Sequence, residues 1–428
     1  MQSSMLSEAD IVRALPVNNM LFTRNRPTNL VVERIQKKSY SESFSSDTQP
    51  GQHIITNSQT GVEFVDPLQS FVHMKITAKR TASTTATTAH FRGSALNVIS
   101  DSQHESRSGK ELDRIQHLDK LNYHRVNNEG HDFSRTTNLK SLILMNHKDP
   151  PTNTRLVWDF QVGKTEVTKE VMIPLKYISG LFDGNENSKL LLPHLMRGLK
   201  SDLTLQSFDT AFTTSGNTAD EDASTYTVTD VYYLFDSYRV LDSVLSMLNE
   251  RYASKSGLVQ EFYTYYGDSR TMLGTANIEV RRAVSQAVDC LLVTDLVSNI
   301  SSKNENSYAS TPVGDGDTSQ WRIGSQYTTN APVKGIIEHY AQSLYYAQAL
   351  RGCKDVAYDY NDFATDLGSY PGIMARNNVI AGSGVAINNS MTLSVDLKLD
   401  NVDNKNVYTF LRHARRAVCF LENIKIEL

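Results

Sequence analysis

The stretch VMIPLKYISGLFDGNENSKLLLPHLMRGLKSDLTLQS runs from Val171 to Ser207. It begins as a strand, stops at Pro174, passes Gly180 and Gly184, and returns with Leu203 and Leu205 alternating with Asp202 and Thr204. Pro174 has no N–H to give to a ladder and so ends strand pairing. Leu190, Leu191, Leu195 and Met196 are placed to seal one end of a sandwich before the chain turns back. No pattern of acid, base or nucleophile separates the Leu clusters, so the segment reads as packing rather than chemistry.

Period-2 alternation extends outward from it, and such alternation puts one set of side chains on each face of a strand. It is strongest at Met391, Leu393, Val395, Leu397 and Leu399, and recurs at Val72/Met74/Ile76/Ala78, Leu156/Trp158/Phe160/Val162 and Ile424/Ile426/Leu428. Aromatic and β-branched runs at 225–235 and 258–266 add further strands. Helical signals are fewer. Asp242 or Ser243 can cap a helix that carries Val244, Leu245, Leu248 and Tyr252 on one face and closes at Gly257. A second helix places Ile337, Tyr340, Ala341, Leu344, Tyr345 and Gln348 along one face, and a short one is expected at Ser7–Leu15. Polar stretches at 80–89, 213–225 and 301–319 read as long loops.

A chain of 428 residues is too long for one ordinary core. The aromatic strand, capped helix and aromatic strand around 241–257 mark a boundary. The expected organisation is an N-terminal arm at 1–30, a first sandwich at 31–240, a helical linker at 241–257 and a second sandwich at 258–428. The fold class is all-β, two tandem antiparallel β-sandwiches with a few short inserted helices.

Composition excludes several functions. With 43 basic and 47 acidic residues the chain has no basic field for nucleic acid, so no sequence-specific nucleic acid is expected as a partner. Cys290, Cys353 and Cys419 are scattered and odd in number, which points to a reducing compartment. The N-terminus lacks a secretory pattern and no apolar run is long enough to span a bilayer, so synthesis inside a cell is expected.

Catalytic, cofactor-binding and metal residues are each expected to be none. Gly382-Ser383-Gly384 is not a nucleophile elbow and reads as a turn. His117, His124 and His131 are spaced by seven, but Asn122, Asn127, Asn128 and Gly130 argue against one continuous helix, leaving exposed or locally bonded histidines. Asp315-Gly316-Asp317 reads as an acidic turn, and Arg412, Arg415 and Arg416 as a solvated or ion-paired face.

Against this background the opening segment resembles a signature of double jelly-roll major capsid proteins. That family includes those of virophages, Polinton-like viruses, large eukaryotic DNA viruses, adenovirus hexons and tailless membrane-containing phages. The matching pieces are Ile173-Pro174-Leu175, Ile178–Phe182, Leu192-Pro193 and Leu199–Leu205, with Pro174, Gly180, Pro193 and Gly198 as the structural motif. Residues 91–125 and the closing strands from Ala381 add to the likeness. The resemblance implies two jelly rolls and a structural capsid protein of the virion, assembled inside the host cell. It also implies homotrimeric, pseudo-hexameric capsomers tiling an icosahedral shell. Implied partners are further copies of the chain, penton and minor capsid proteins, and an internal membrane met by the N-terminal arm. A β-sandwich binding module, lectin-like or receptor-binding, is the alternative, and a β-sandwich hydrolase with two convergent carboxylates a third reading.

Overall fold

In a computed structural model, the structure describes residues 31–427 except 81–87, 129–141, 146–156, 161–164, 184–189, 216–223, 297–312, 352–358, 366–367, 374–383, 389–390, 401–403 and 422. The first eleven strands are β1 (Val31–Tyr40), β2 (His53–Asn57), β3 (Phe64–Arg80), β4 (Thr88–Phe91), β5 (Ile99–Glu105), β6 (Glu111–Ile115), β7 (Val157–Asp159), β8 (Glu166–Pro174), β9 (Lys200–Leu205), β10 (Phe212–Ser215) and β11 (Ser224–Val240). The next eleven are β12 (Leu258–Met272), β13 (Thr275–Val280), β14 (Val284–Leu296), β15 (Thr318–Ile323), β16 (Gln326–Tyr327), β17 (Val333–Lys334), β18 (Tyr370–Ile373), β19 (Val385–Ile387), β20 (Leu393–Lys398), β21 (Lys405–Cys419) and β22 (Ile424–Glu427). The α-helices are α1 (Leu118–Asn128), α2 (Pro193–Met196), α3 (Phe208–Ala211), α4 (Asp242–Ala253), α5 (Gly335–Arg351) and α6 (Tyr360–Thr365).

One strand order occurs twice. In the first half the sheets are β1-β11-β3-β8 and β2-β9-β5-β6; in the second they are β12-β21-β14-β18 and β13-β20-β15-β16. Numbering the eight main strands of each half in chain order, both halves read 1-8-3-6 and 2-7-4-5. That arrangement is the eight-stranded jelly roll, so the chain has a double jelly-roll fold. Among the described residues, no strand before α4 pairs with a strand after it. A small third sheet, β10-β4-β7, is inserted in the first half, where Trp158 and Phe212 pack on Phe91 with ring centroids 4.6 and 4.8 Å away.

The alternation reads onto these strands as expected: Val72, Met74, Ile76 and Ala78 on β3, and Leu393, Val395 and Leu397 on β20, are all buried. Met391 departs from the pattern, lying outside β20 and 41% exposed. The three polar stretches are not wholly loop, since β4, β10, β11 and β15 reach into them; their centres lie outside the described residues. So do the arm at 1–30, with its expected helix, and Ser383, His131 and Cys353.

Two helical readings need correction. Helix α1 does run unbroken through Asn122 and Asn128, because the Asn122 Nδ2 donates to Tyr177 O at 2.8 Å and is not left to compete with the helix backbone. His124, carried on it, is buried rather than exposed. Helix α5 is rotated from the face expected: Tyr340 and Leu344 do pack against the second core, but His339, Ser343 and Tyr346 are the buried residues, while Ile337 and Tyr345 are 63% and 57% exposed. Polar contacts hold the centre of that face, His339 Nε2 to Ser319 Oγ at 2.9 Å and Ser343 Oγ to Ser369 Oγ at 3.1 Å. Hydrophobic periodicity therefore places Tyr340 and Leu344 correctly and misplaces Ile337 and Tyr345. In α4 the inward face is as expected, Val244, Leu248 and Tyr252, but no side chain caps it; Leu241 holds the N-cap and Asp242 lies in the first turn.

Candidate functional site

The residues of the opening stretch converge on the seam where the two sandwiches meet. Pro174 closes β8 opposite Phe71 of β3, and two 3₁₀ turns follow, Leu175–Tyr177 and Gly180–Phe182. Ser179 caps the second turn by accepting from Leu181 N. Its hydroxyl donates in turn to Asp113 Oδ2 at 2.6 Å, and Gly180 N donates to the same oxygen at 2.7 Å. The other oxygen of Asp113 accepts from the Thr264 hydroxyl on β12, the first strand of the second sandwich. A fully buried carboxylate is tolerable only when its lone pairs are occupied. Here three donors from two sandwiches occupy them.

Gly180 is required by closeness. A Cβ there would stand 2.2 Å from Tyr263 O and 2.6 Å from Thr264 Cα, both backbone atoms of β12. Gly267 makes the reciprocal approach, where a Cβ would lie 2.4 Å from Gln116 O at the end of β6. Pro193 opens α2 at its first position, where a missing N–H costs nothing. Gly198, at φ +66, lets the stem of Arg107 lie across it, 3.3 Å from where a Cβ would be.

Charged groups tie the same seam. Lys120 of α1 meets Asp295 of β14 at 2.6 Å. Arg125 donates to Lys176 O at 2.8 Å, pairs with Asp183 at 3.1 Å, and lies over the rings of Tyr177 and Tyr265, one from each sandwich. Arg415 of β21 donates to Leu112 O of β6 at 2.7 Å. The basic cluster of the C-terminus is thus mostly internal. Arg412 is buried against Asp289, Nε to Oδ2 at 2.7 Å; burial works against its charge, but that carboxylate overrides it and raises the guanidinium pKa. All three arginines are ion-paired, one of the two expected states, Arg412 with Asp289, Arg415 with Glu111 and Arg416 with Glu261, but only Arg416 is exposed.

The other candidates resolve into structure. His117, at φ 54, packs edge-on against Tyr408 at 5.2 Å. Burial holds the His124 imidazole down to about 3. Asp317 of the acidic turn is buried, accepting from Tyr370 Oη and Asp400 N at 2.6 Å each, which consumes the oxygens a cation would need. Among the described residues no group of three or more His, Cys, Asp or Glu could hold a metal ion. Sequence reading missed Asp113 and Thr264 altogether; a lone Asp and a lone Thr 151 positions apart leave no local signal.

No family model matches the chain, and no curated protein matches it in sequence. Solved structures do. The PBCV-1 virus capsid aligns with TM-score 0.60 at 11% identity, covering 95% of this chain and 99% of that one. The Faustovirus major capsid protein gives 0.57 at 10% identity over 96% and 94%, and the mavirus major capsid protein 0.51 at 10% over 95% and 94%. At these identities the likeness is one of fold, and it extends over nearly the whole chain.

Proposed function

We propose that this chain is a major capsid protein, a structural component of a viral shell and not an enzyme. The observation that carries the reading is the repeated strand order: each chain holds two wedges of one topology, fixed to each other by the Asp113 seam. Three such chains around a threefold axis make a ring of six similar wedges. A ring of that outline can tile a flat facet through repeated contacts, and closed symmetry favours a defined oligomer over open aggregation. The known capsid proteins of the same fold support this reading.

In this proposal the chain divides into an arm at 1–30, a first jelly roll at 31–240, a linker at 241–257 and a second jelly roll at 258–428. Pro174, Gly180, Pro193 and Gly198 serve packing rather than chemistry. The protein resides in the virion after assembly in the host cell. Its main partner is itself, first in the homotrimer and then between capsomers. Penton and minor capsid proteins are further partners, and the arm would meet a neighbouring capsomer, a minor capsid protein or a membrane beneath the shell.

Light scattering on the purified protein tests it. Three chain masses, stable on dilution, with six-sided rings in negative stain, are expected; an obligate interface should bury well over about 2,000 Å². A stable monomer at micromolar concentration that never forms particles would favour a β-sandwich binding module instead.

A further inference from the structure

Where β6 and its following loop approach β12, β21 and the turn before β14, the seam leaves a cavity of about 120 Å³, some four water volumes. Arg114, Arg282 and Arg415 line it together with His413, and the one carboxylate in its wall is Glu111. Three guanidiniums therefore face one acid. The nearby Asp113 favours the Arg415 charge from a distance, but its oxygens already serve Ser179, Gly180 and Thr264.

The donors are incompletely used. The Arg415 side chain is only 7% exposed and 3.6 Å from Glu111; one terminal nitrogen bonds Leu112 O, but Nε is buried without a hydrogen-bond partner. Arg282 lies over the Tyr266 ring at 5.3 Å, and its Nε is likewise buried and unpartnered. Arg114 is exposed at the mouth and has no ion-pair partner among the described residues. Burial lowers the Arg415 pKa, and Arg282 adds to that against the opposing pull of Asp113 and Glu111. Burial likewise holds His413 down to about 4, so at neutral pH it adds no positive charge. Buried donors without acceptors are costly, and clustered guanidiniums present the fork geometry suited to tetrahedral oxyanions.

We propose that this cavity binds a small oxyanion of the phosphate or sulfate class, held by Arg282 and Arg415 and closed over by Arg114. The ion would neutralise the cluster and link β6 of the first sandwich to β12, β21 and the turn before β14 of the second. The site belongs to a single chain and stands whether or not the chain builds a shell.

Thermal unfolding of the full chain, in chloride, phosphate and sulfate at matched ionic strength, tests the site. The expected result is a saturable rise in Tm with phosphate and sulfate and none with chloride. Arg282→Gln should weaken the apparent phosphate affinity at least about tenfold, the loss of one charge-assisted contact, and Arg114→Gln should weaken it less. Arg197→Gln, in the wall of a separate cavity beside Arg107 and Ser106, should leave it unchanged. Glycerol phosphate serves as a second probe: a rise equal to that with phosphate assigns the site to the phosphate group of a larger ligand, a smaller one to the free ion, and both support it. An equal rise in chloride, or wild-type phosphate affinity in both Arg282→Gln and Arg114→Gln, would overturn the proposal.

Discussion

Thr264 of the second sandwich donates its hydroxyl to the buried carboxylate of Asp113 in the first. Because Ser179 and Gly180 donate to the same carboxylate, removing it strands three donors at once. Asp113→Ala should therefore destabilise the chain by about 3–5 kcal/mol, and Thr264→Val by about 1–3 kcal/mol. A double-mutant cycle in denaturant should give a coupling above about 0.5 kcal/mol; strictly additive losses would mean that the contact does not hold the seam.

Glycines at the seam should be far less replaceable than glycines at turns. Gly180→Ala and Gly267→Ala each drive a methyl into backbone, at 2.2 and 2.4 Å, and neither neighbour can rotate away. A cost of about 3 kcal/mol or more is expected for each, at the upper end of overpacking. Gly51→Ala meets nothing within 4 Å and bears only the strain of φ +79, about 1 kcal/mol. Equal urea midpoints for Gly51→Ala and Gly180→Ala would contradict this.

Acid should loosen the fold through its buried histidines. Burial depresses His104 to about 4, His124 to about 3 and His413 to about 4. The unfolded chain therefore takes up protons near pH 6.5 that the folded chain refuses. Stability is held above that pH and falls as pH drops toward 3 to 4, by up to about 1.4 kcal/mol per pH unit for each histidine. Urea midpoints that stay level between pH 7 and pH 5 would refute the assignment.

The outward face of α5 should matter to assembly rather than to folding. Ile337 and Tyr345 are exposed there, and Tyr360 of α6, 40% exposed, stacks edge-on against Tyr340 at 5.6 Å. An apolar face of this kind suits a second copy of the chain. Ile337→Asp with Tyr345→Asp should lower the light-scattering mass from that of the proposed trimer to one chain mass while leaving the monomer's Tm almost unmoved. An intact trimer would place the interface elsewhere.

Strand identity was legible where burial is one-sided, as on β3 and β20, because one face of each strand carries the apolar set. Gly180 and Pro174 were legible through their missing atoms, which limit what the chain can do locally. The buried centre of α5 was not, since His339 and Ser343 are buried by hydrogen bonds that no hydrophobic pattern encodes. Nor were the Asp113 contacts, nor the burial of Arg412 and Arg415: each depends on a partner more than sixty positions away.

The strand order also governs how the chain is made. β11 lies between β1 and β3, and β21 lies between β12 and β14, so the last main strand of each half is a central one. Leaving a ribosome at about 5–20 residues per second, the stretch from Phe64 to Ser224 takes about 10–30 s to appear. Throughout that interval β3 lacks its main neighbour and presents an open, apolar edge to every other nascent chain. Such edges are prone to pair wrongly, so the yield of correctly folded protein should depend on how well a chaperone shields that waiting edge, and should fall where synthesis of the intervening stretch is slowed.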